Sequence, residues 1–183
     1  MRLCFVLILS VFLNACATQV STLQSGEQKE LEQGKGFVLL GIETNTNLKS
    51  VQISGPQKIK LSSQDIKEGV NFLLIDLKAG QYTIDHISLG SVRNIDLDDE
   101  LTWDFVVEPG KISYVGHLEW DSTEYNYYYR WLVQYRVELV NRSTEALEFL
   151  EENHSKILAK NAIVYGGPGE DRFFALLENL KGE

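Results

Sequence analysis

The sequence predicts a mainly β protein, an antiparallel β-sandwich followed by a short C-terminal α-helical segment. Three observations predict it. Between residues 35 and 140 the apolar residues come in short runs, several alternating strictly with polar ones, and Gly, Pro or Asn breaks separate the runs. Helical spacing of apolar residues is confined to the segment after residue 140. Strand pattern follows strand pattern with no helix-length stretch between, which argues against a parallel α/β sheet.

Residues 1–15 stand apart from this fold. Met1 and Arg2 give a positive start, and Leu3 to Leu13 is almost continuously apolar, interrupted by Ser10 and closed by Asn14. Crossing a bilayer takes about 20 apolar residues, so a run this short reads as an export signal. Residues 16–34 are rich in Gln, Ser and Glu and lack an apolar period, a composition that predicts a flexible tether.

The predicted sandwich occupies residues 35–140. Gly36 to Ile42 is its first strand, followed by the turn-forming Thr44 to Asn47. Leu48 to Ser54 is the second, stopped by Gly55-Pro56, and Gln57 to Leu61 the third. Val70 to Leu77 contains Phe72-Leu73-Leu74-Ile75, apolar on both faces, which predicts a central strand. Ala79-Gly80 turns the chain into Gln81 to Ile87, and Ser88 to Asp99 reads as an acidic loop. Leu101, Trp103, Phe105 and Val107 then alternate with Thr102, Asp104, Val106 and Glu108, an almost clean period of two. Glu108 to Lys111 predicts a hairpin turn into a strand with Ile112, Tyr114, Gly116, Leu118 and Trp120 on one face. Tyr125 to Val140 reads as one long strand, with Tyr125, Tyr127, Tyr129, Trp131 and Tyr135 on one face, long enough to bend between two sheets.

The segment 141–183 is predicted to be helical and to pack on the sandwich. Ser143 or Thr144 can cap a helix that turns Leu147, Leu150 and Phe149 inward and runs towards Ala159. A second helix starts near Asp171, with Phe173, Leu176, Leu177 and Leu180 at the i, i+3, i+4, i+7 spacing of one apolar stripe.

Two stretches carry a family resemblance. Leu13-Asn14-Ala15-Cys16 resembles the lipobox of bacterial lipoproteins, with Asn14 where Ala or Ser is usual. The resemblance implies cleavage before Cys16 and lipidation of Cys16, so that the partner of the mature chain is a membrane held through its acyl chains. Ala17 follows where Asp would favour inner-membrane retention, which implies an outer-membrane, periplasm-facing location in the cell envelope. Leu77 to Ile84 and Trp103 to Gly116, the latter with Pro109-Gly110-Lys111-Ile112-Ser113-Tyr114-Val115-Gly116, resemble an uncharacterised bacterial lipoprotein family with a prealbumin-like or carboxypeptidase-regulatory-like sandwich, over roughly residues 35–120. This implies a fold and says almost nothing of chemistry.

Composition narrows the functions. The chain has 183 residues and a formal charge of -9, which argues against nucleic-acid partners, since these demand clustered Lys and Arg. Its two cysteines are Cys4, which leaves with a signal, and Cys16, so thiol catalysis and Cys-based metal sites are not expected in the sandwich.

The remaining candidates divide as follows. His86, His117 and His154 are the three histidines and lie in different segments. Glu151 and His154 have the E-x-x-H spacing of half a di-iron site, but no second pair exists. Asp96, Asp98, Asp99 and Glu100 are the densest acidic cluster and a weak candidate for Ca²⁺, without the EF-hand spacing or loop glycine; a solvated loop is the expected state, and neither metal nor cofactor is expected. Gly166-Gly167-Pro168-Gly169 precedes a helix, but the following Glu170-Asp171 would repel phosphate and instead supplies a cap. No G-x-S-x-G context is present. The expected role is therefore noncatalytic, binding or scaffolding another envelope component. The alternative is a carbohydrate or peptidoglycan module using Tyr125, Tyr127, Tyr129, Trp131 and Tyr135 as stacking rings, so the partner is an envelope protein or a cell-wall glycan. A hydrolase using Asp96 to Glu100 with His117 is a third reading, which requires those groups to meet in space.

Overall fold

A computed structural model describes residues 18–20, 22–89, 93–97, 101–127 and 130–181. In chain order its strands are β1 (Thr18–Gln19), β2 (Lys35–Thr44), β3 (Leu48–Ser54), β4 (Ile59–Ser62), β5 (Gly69–Lys78) and β6 (Gly80–Leu89). These are followed by β7 (Arg93–Asp96), β8 (Asp104–Val107), β9 (Ile112–Tyr127) and β10 (Arg130–Val140). Helices α1 (Ser143–Asn153) and α2 (Ser155–Leu158), strand β11 (Ile163–Tyr165) and helix α3 (Phe173–Lys181) complete the described chain.

The strands form two sheets. The first has the order β1-β4-β3-β6-β7, with β8 beside the other half of β6; the second has the order β10-β9-β2-β5, with β11 beside the start of β9. Four short connections pass between the sheets and define two ends of the sandwich. Residues 45–47 and 63–68 lie at one end, and Ala79 and residues 108–111 at the other. Because β1 runs parallel to β4, with Thr18 beside Ile59, the chain enters β1 from the second of these ends.

Alternation along β2 decides how the layers stack. Val38, Leu40 and Ile42 point into a cluster with Val51, Ile53, Ile59, Leu61, Tyr82, Ile84 and Phe105 between the sheets. Phe37 and Leu39 point the other way, into a cluster with Leu74, Ile112, Tyr114, Ala146, Leu150, Ile157 and Phe174. The helices thus form a third layer on the second sheet. Each such side chain, taken fully out of water, contributes about 1.5–3 kcal/mol, which is why β2 is apolar on both faces.

The mainly β sandwich with its C-terminal helices is as the sequence predicts, and five details differ. First, β5 is an edge strand of its sheet, not a central one. Its double apolarity reflects cover on both faces: Leu73, Ile75 and Leu77 meet the inter-sheet cluster, and Leu74 meets the helical layer.

Second, the expected tether is docked. β1 pairs with β4, the Leu23 amide donates to the Leu74 carbonyl at 2.8 Å, and the Thr22 hydroxyl accepts from the Leu74 amide at 3.0 Å. Leu23 is itself buried. Buried Leu23, the partly buried Val20 and Leu31, the Lys29–Asp76 ion pair and a few main-chain hydrogen bonds hold a polar segment that has no apolar period.

Third, the residues expected to form a hairpin around Pro109-Gly110 join different sheets, since β8 pairs with β6 and β9 with β2. Fourth, β9 does not keep one face. Leu39 pairs with Tyr114 but Leu40 pairs with Gly116, so Val115 is an extra residue in a β-bulge. Ile112 and Tyr114 consequently face the helices, while Val115, Leu118 and Trp120 face the inter-sheet cluster. Gly116 sits at φ 126, where a Cβ would also lie 3.1 Å from Leu139.

Fifth, Tyr125 to Val140 is not one strand. Its start belongs to β9 and its end to β10, paired antiparallel from Arg130 beside Tyr127 to Val140 beside His117. Smaller differences follow the same lines. The acidic stretch after Ser88 contains β7, the strand expected from Leu101 begins with a 3-10 turn at Leu101–Trp103, and the first helix breaks at His154 ahead of α2 and β11. Ser143 is the first residue of α1 rather than its cap, its amide donating to Asn141 Oδ1 at 3.0 Å.

Candidate functional site

Where β2 ends alongside β9, their parallel register sets Glu43 next to Glu119. Like charges directly across a sheet repel. Arg142, between β10 and α1, resolves this with Nη2 at 2.5 Å from Glu119 Oε1 and 2.9 Å from Glu43 Oε2, and Nη1 at 3.4 Å from Glu145. The Glu119 contact is a hydrogen bond, whereas the Glu43 oxygen is buried and meets the guanidinium outside hydrogen-bonding geometry. The Tyr114 hydroxyl accepts from the Arg142 amide at 2.9 Å, fixing the residue from behind. Burial costs the guanidinium hydration, but the Glu119 hydrogen bond and the fields of Glu119, Glu145 and Glu43 outweigh that and raise its pKa above the ordinary value. Arg136 approaches Glu119 at 4.0 Å and Glu138 at 3.7 Å. Glu43, Glu119, Arg136 and Arg142, together with Thr44, Asn45, Trp120 and Asp121, line an open cleft of about 260 Å³.

The cleft is the root of a two-stranded arm. β2 stops pairing with β9 at Thr44 beside Trp120. The Asn45 side chain supplies the next rung, donating to the Ser122 carbonyl at 2.9 Å and accepting from the Ser122 amide at 3.0 Å. Beyond Ser122, among the described residues, β9 pairs only with β10. The seven residues from Asp121 to Tyr127 carry the arm roughly 23 Å past the sheet at about 3.3 Å per residue. At its base Tyr135, half exposed, stacks on buried Trp120 with centroids 5.2 Å apart and planes 9° from parallel.

No protein-family model, curated protein or solved structure matches the chain. Its chemistry is therefore read from its own geometry.

The register divides the predicted aromatic face. Tyr125 pairs with Leu132, Trp131 with Asn126 and Tyr135 with Ser122, so Tyr125 and Tyr127 occupy one alternating set of positions and Trp131 and Tyr135 the other. The chain reverses between Tyr127 and Arg130, and counting by twos across a reversal joins opposite sets. Tyr129 and the side chains of residues 124–133 lie outside the described residues. Cys16 also lies outside them.

Of the acidic cluster, Asp98, Asp99 and Glu100 lie outside the described residues, and Asp96 pairs with His86 Nδ1 at 2.5 Å on the first sheet. His117 is wholly buried on the helix side of the second sheet, so the geometry does not bring it to Asp96. Its two ring nitrogens have no hydrogen-bond partner, and Phe72 meets it edge-on at 5.3 Å. Burial, reinforced by the Arg142 charge, holds its pKa below the ordinary value, so the ring is neutral at pH 7. His154 is buried and Glu151 exposed, so the E-x-x-H pair points apart. Among the described residues no group of three or more His, Cys, Asp or Glu side chains is placed to hold a metal ion.

The glycine loop serves packing. A Cβ on Gly166 would lie 2.3 Å from the Val106 carbonyl and one on Gly167 2.0 Å from that of Val115, so only glycine lets this loop lie against both strands. Asp171 caps α3 as the sequence predicts, accepting from the Phe173 amide at 2.7 Å, and it also accepts from Asn141 and Ser143. Arg142, Glu43 and Glu119 escape sequence reasoning because they come from three elements. The one local signal is an acid ending each of two otherwise buried strand stretches.

Proposed function

We propose that the protein is a lipid-anchored lipoprotein of the bacterial cell envelope, held at the outer membrane through Cys16 and facing the periplasm, with a noncatalytic role in binding or scaffolding an envelope protein. The observation that carries the binding role is the β9–β10 arm, whose main-chain edges beyond Ser122 have no strand partner among the described residues. An isolated two-stranded ribbon is marginal in water, and open edges are templates for a further strand. A partner chain that adds a strand to the arm would satisfy those groups and order it. The cleft at its root supports the noncatalytic reading: each guanidinium is engaged by carboxylates, and the nearest histidine is buried without a hydrogen-bonded partner. The glycan alternative loses support because the register splits its rings between two alternating sets.

The test is site-specific photocrosslinking in intact cells of the native host, with the reactive residue at exposed Thr123 or Gln134 on the arm and at Glu152 on α1 as a control. The reading requires one envelope protein captured from the arm positions and not from Glu152, and lost in the Cys16→Ala form. Equal labelling from all three positions refutes it.

A further inference from the structure

Three lysines of this acidic chain gather where β1 begins. Lys58 precedes Ile59, the register partner of Thr18; Lys60 pairs with Gln19; and the Lys78 amide donates to the Gln57 side chain at 2.7 Å, placing Lys78 beside Lys58. Among the described residues none of these three lysines makes an ion pair, and Lys58 and Lys78 are exposed. Carboxylates at the same end are already engaged, Asp76 by Lys29 and Lys35, Glu32 by Lys35, Glu108 by Lys111, and Asp104 through hydrogen bonds from Thr83 and Gln81. Across the outer face of the first sheet a single row runs Lys60, Gln52, His86, Asp96, so the charge changes sign away from the β4 side.

Cys16 is two residues from Thr18, a span of at most roughly 7 Å. An anchor so short leaves the β1 end of the sandwich against whatever surface holds Cys16. We propose that the corner formed by Lys58, Lys60 and Lys78 seats on anionic lipid headgroups, standing the sandwich with its β9–β10 arm directed away from the membrane. This rests on the reading of Cys16 as the lipid attachment site. Each lysine brought within a screening length of an anionic surface contributes about a five-fold gain in attachment. The arm springs from the opposite end, since Thr44 beside Trp120 marks its root and Thr18 beside Ile59 marks the seat.

The experiment uses the lipidated protein reconstituted in vesicles of phosphatidylcholine alone or mixed with phosphatidylglycerol, with amine acetylation read lysine by lysine by mass spectrometry. Labelling of Lys58, Lys60 and Lys78 should fall about five-fold in the mixed vesicles relative to the neutral ones. Lys49 and Lys67, at the arm end, and Lys156, on α2, should be unchanged. The protection should vanish at about 0.5 M salt, and that of Lys78 should vanish in a Lys58→Glu/Lys60→Glu form whose far-ultraviolet circular dichroism matches the parent. Equal labelling in both vesicle types overturns the proposal, as does protection seen in native membranes but not in mixed vesicles, which would assign the corner to a protein. If the mass of Cys16 shows no lipid, the anchor reading fails separately. Cosedimentation of the same protein with mixed but not neutral vesicles would then still support the corner, and its absence would overturn it.

Discussion

Gly41→Ala probes a close contact between β2 and buried His117 on the helix side of the second sheet. A methyl group at Gly41 would lie 2.2 Å from His117 Nδ1 and 2.7 Å from two ring carbons, more than an ångström inside van der Waals contact. Gly41 is not among the positive-φ glycines, so the cost is steric rather than conformational. The imidazole cannot swing away, because it is fully buried and Phe72, which bounds it, is itself stacked on Phe149 at 4.8 Å. Overpacking of this kind costs about 3 kcal/mol at the upper end of the usual range. Replacing glycine restricts the unfolded chain and returns up to about 1 kcal/mol, leaving a net loss of about 2 kcal/mol. His117→Ala removes packing but also two buried nitrogens that lack partners, so its own cost is smaller than for an apolar ring of that size. The two substitutions together should be less damaging than their sum by about 3 kcal/mol, the steric cost alone, because the new methyl enters space the ring has left while the effect on the unfolded chain persists. Urea denaturation of all four forms, followed by circular dichroism, gives the cycle. Additivity within about 0.5 kcal/mol would refute the packing argument.

Other expectations follow from the same geometry. His117 and His154 both have pKa values held below the ordinary 6.5, chiefly by burial, so as pH falls through 6.5 the unfolded chain takes up protons first. Stability should be flat above that pH and decline below it, by at most about 1.4 kcal/mol per pH unit per histidine, with His117→Phe removing part of the slope in urea titrations at pH 7.5 and 5. Arg142→Leu should destabilise by about 1–2 kcal/mol, because it leaves Glu43 and Glu119 side by side; a Glu119→Gln background should recover part of that loss in the same denaturation assay. Asp171→Ala removes the α3 cap and two hydrogen bonds to the approach of α1, and should cost about 1–2 kcal/mol, seen as faster amide exchange in α3.

Much of this fold was legible in the residues because each layer writes a period. Leu48 to Ser54 reads as a strand and is β3 in full, and Asp171 announces α3 by cap chemistry and the stripe that follows. The failures have local physical causes. Val115 adds a single residue to β9, and one extra residue inverts every later face while leaving the apolar count unchanged. The arm's reversal after Tyr127 comes in a run of aromatic residues with no Gly, Pro or Asn-Gly signal, so alternation seemed to continue through it. β11 is three residues long, and the segment around Leu23 contributes one buried side chain; both are fixed by hydrogen bonds to strands distant in sequence. The charged cleft fails for a related reason, since Glu43, Glu119 and Arg142 acquire meaning only once β2 and β9 are known to be parallel neighbours.

The docking of residues 22 to 34 changes what the arm can reach. On the proposed lipid attachment at Cys16, a flexible tether would let the arm sample a broad shell around its anchor, whereas the β1–β4 pairing begins two residues after Cys16 and would fix both height and direction. Ten residues of β2 span about 33 Å and the arm adds roughly 23 Å, so its tip stands on the order of 50 Å from the β1 end. A short rigid mount is useful only if the partner occupies a fixed layer at that height. Inserting a flexible Gly-Ser segment of about 20 residues between Ala17 and Thr18 leaves the anchor and both hydrophobic clusters intact but releases height and direction together. The arm-specific crosslink at Thr123 should then fall severalfold while total membrane-bound protein stays constant. An undiminished crosslink would show that the partner diffuses freely to the arm, and the rigid mount would have no bearing on binding.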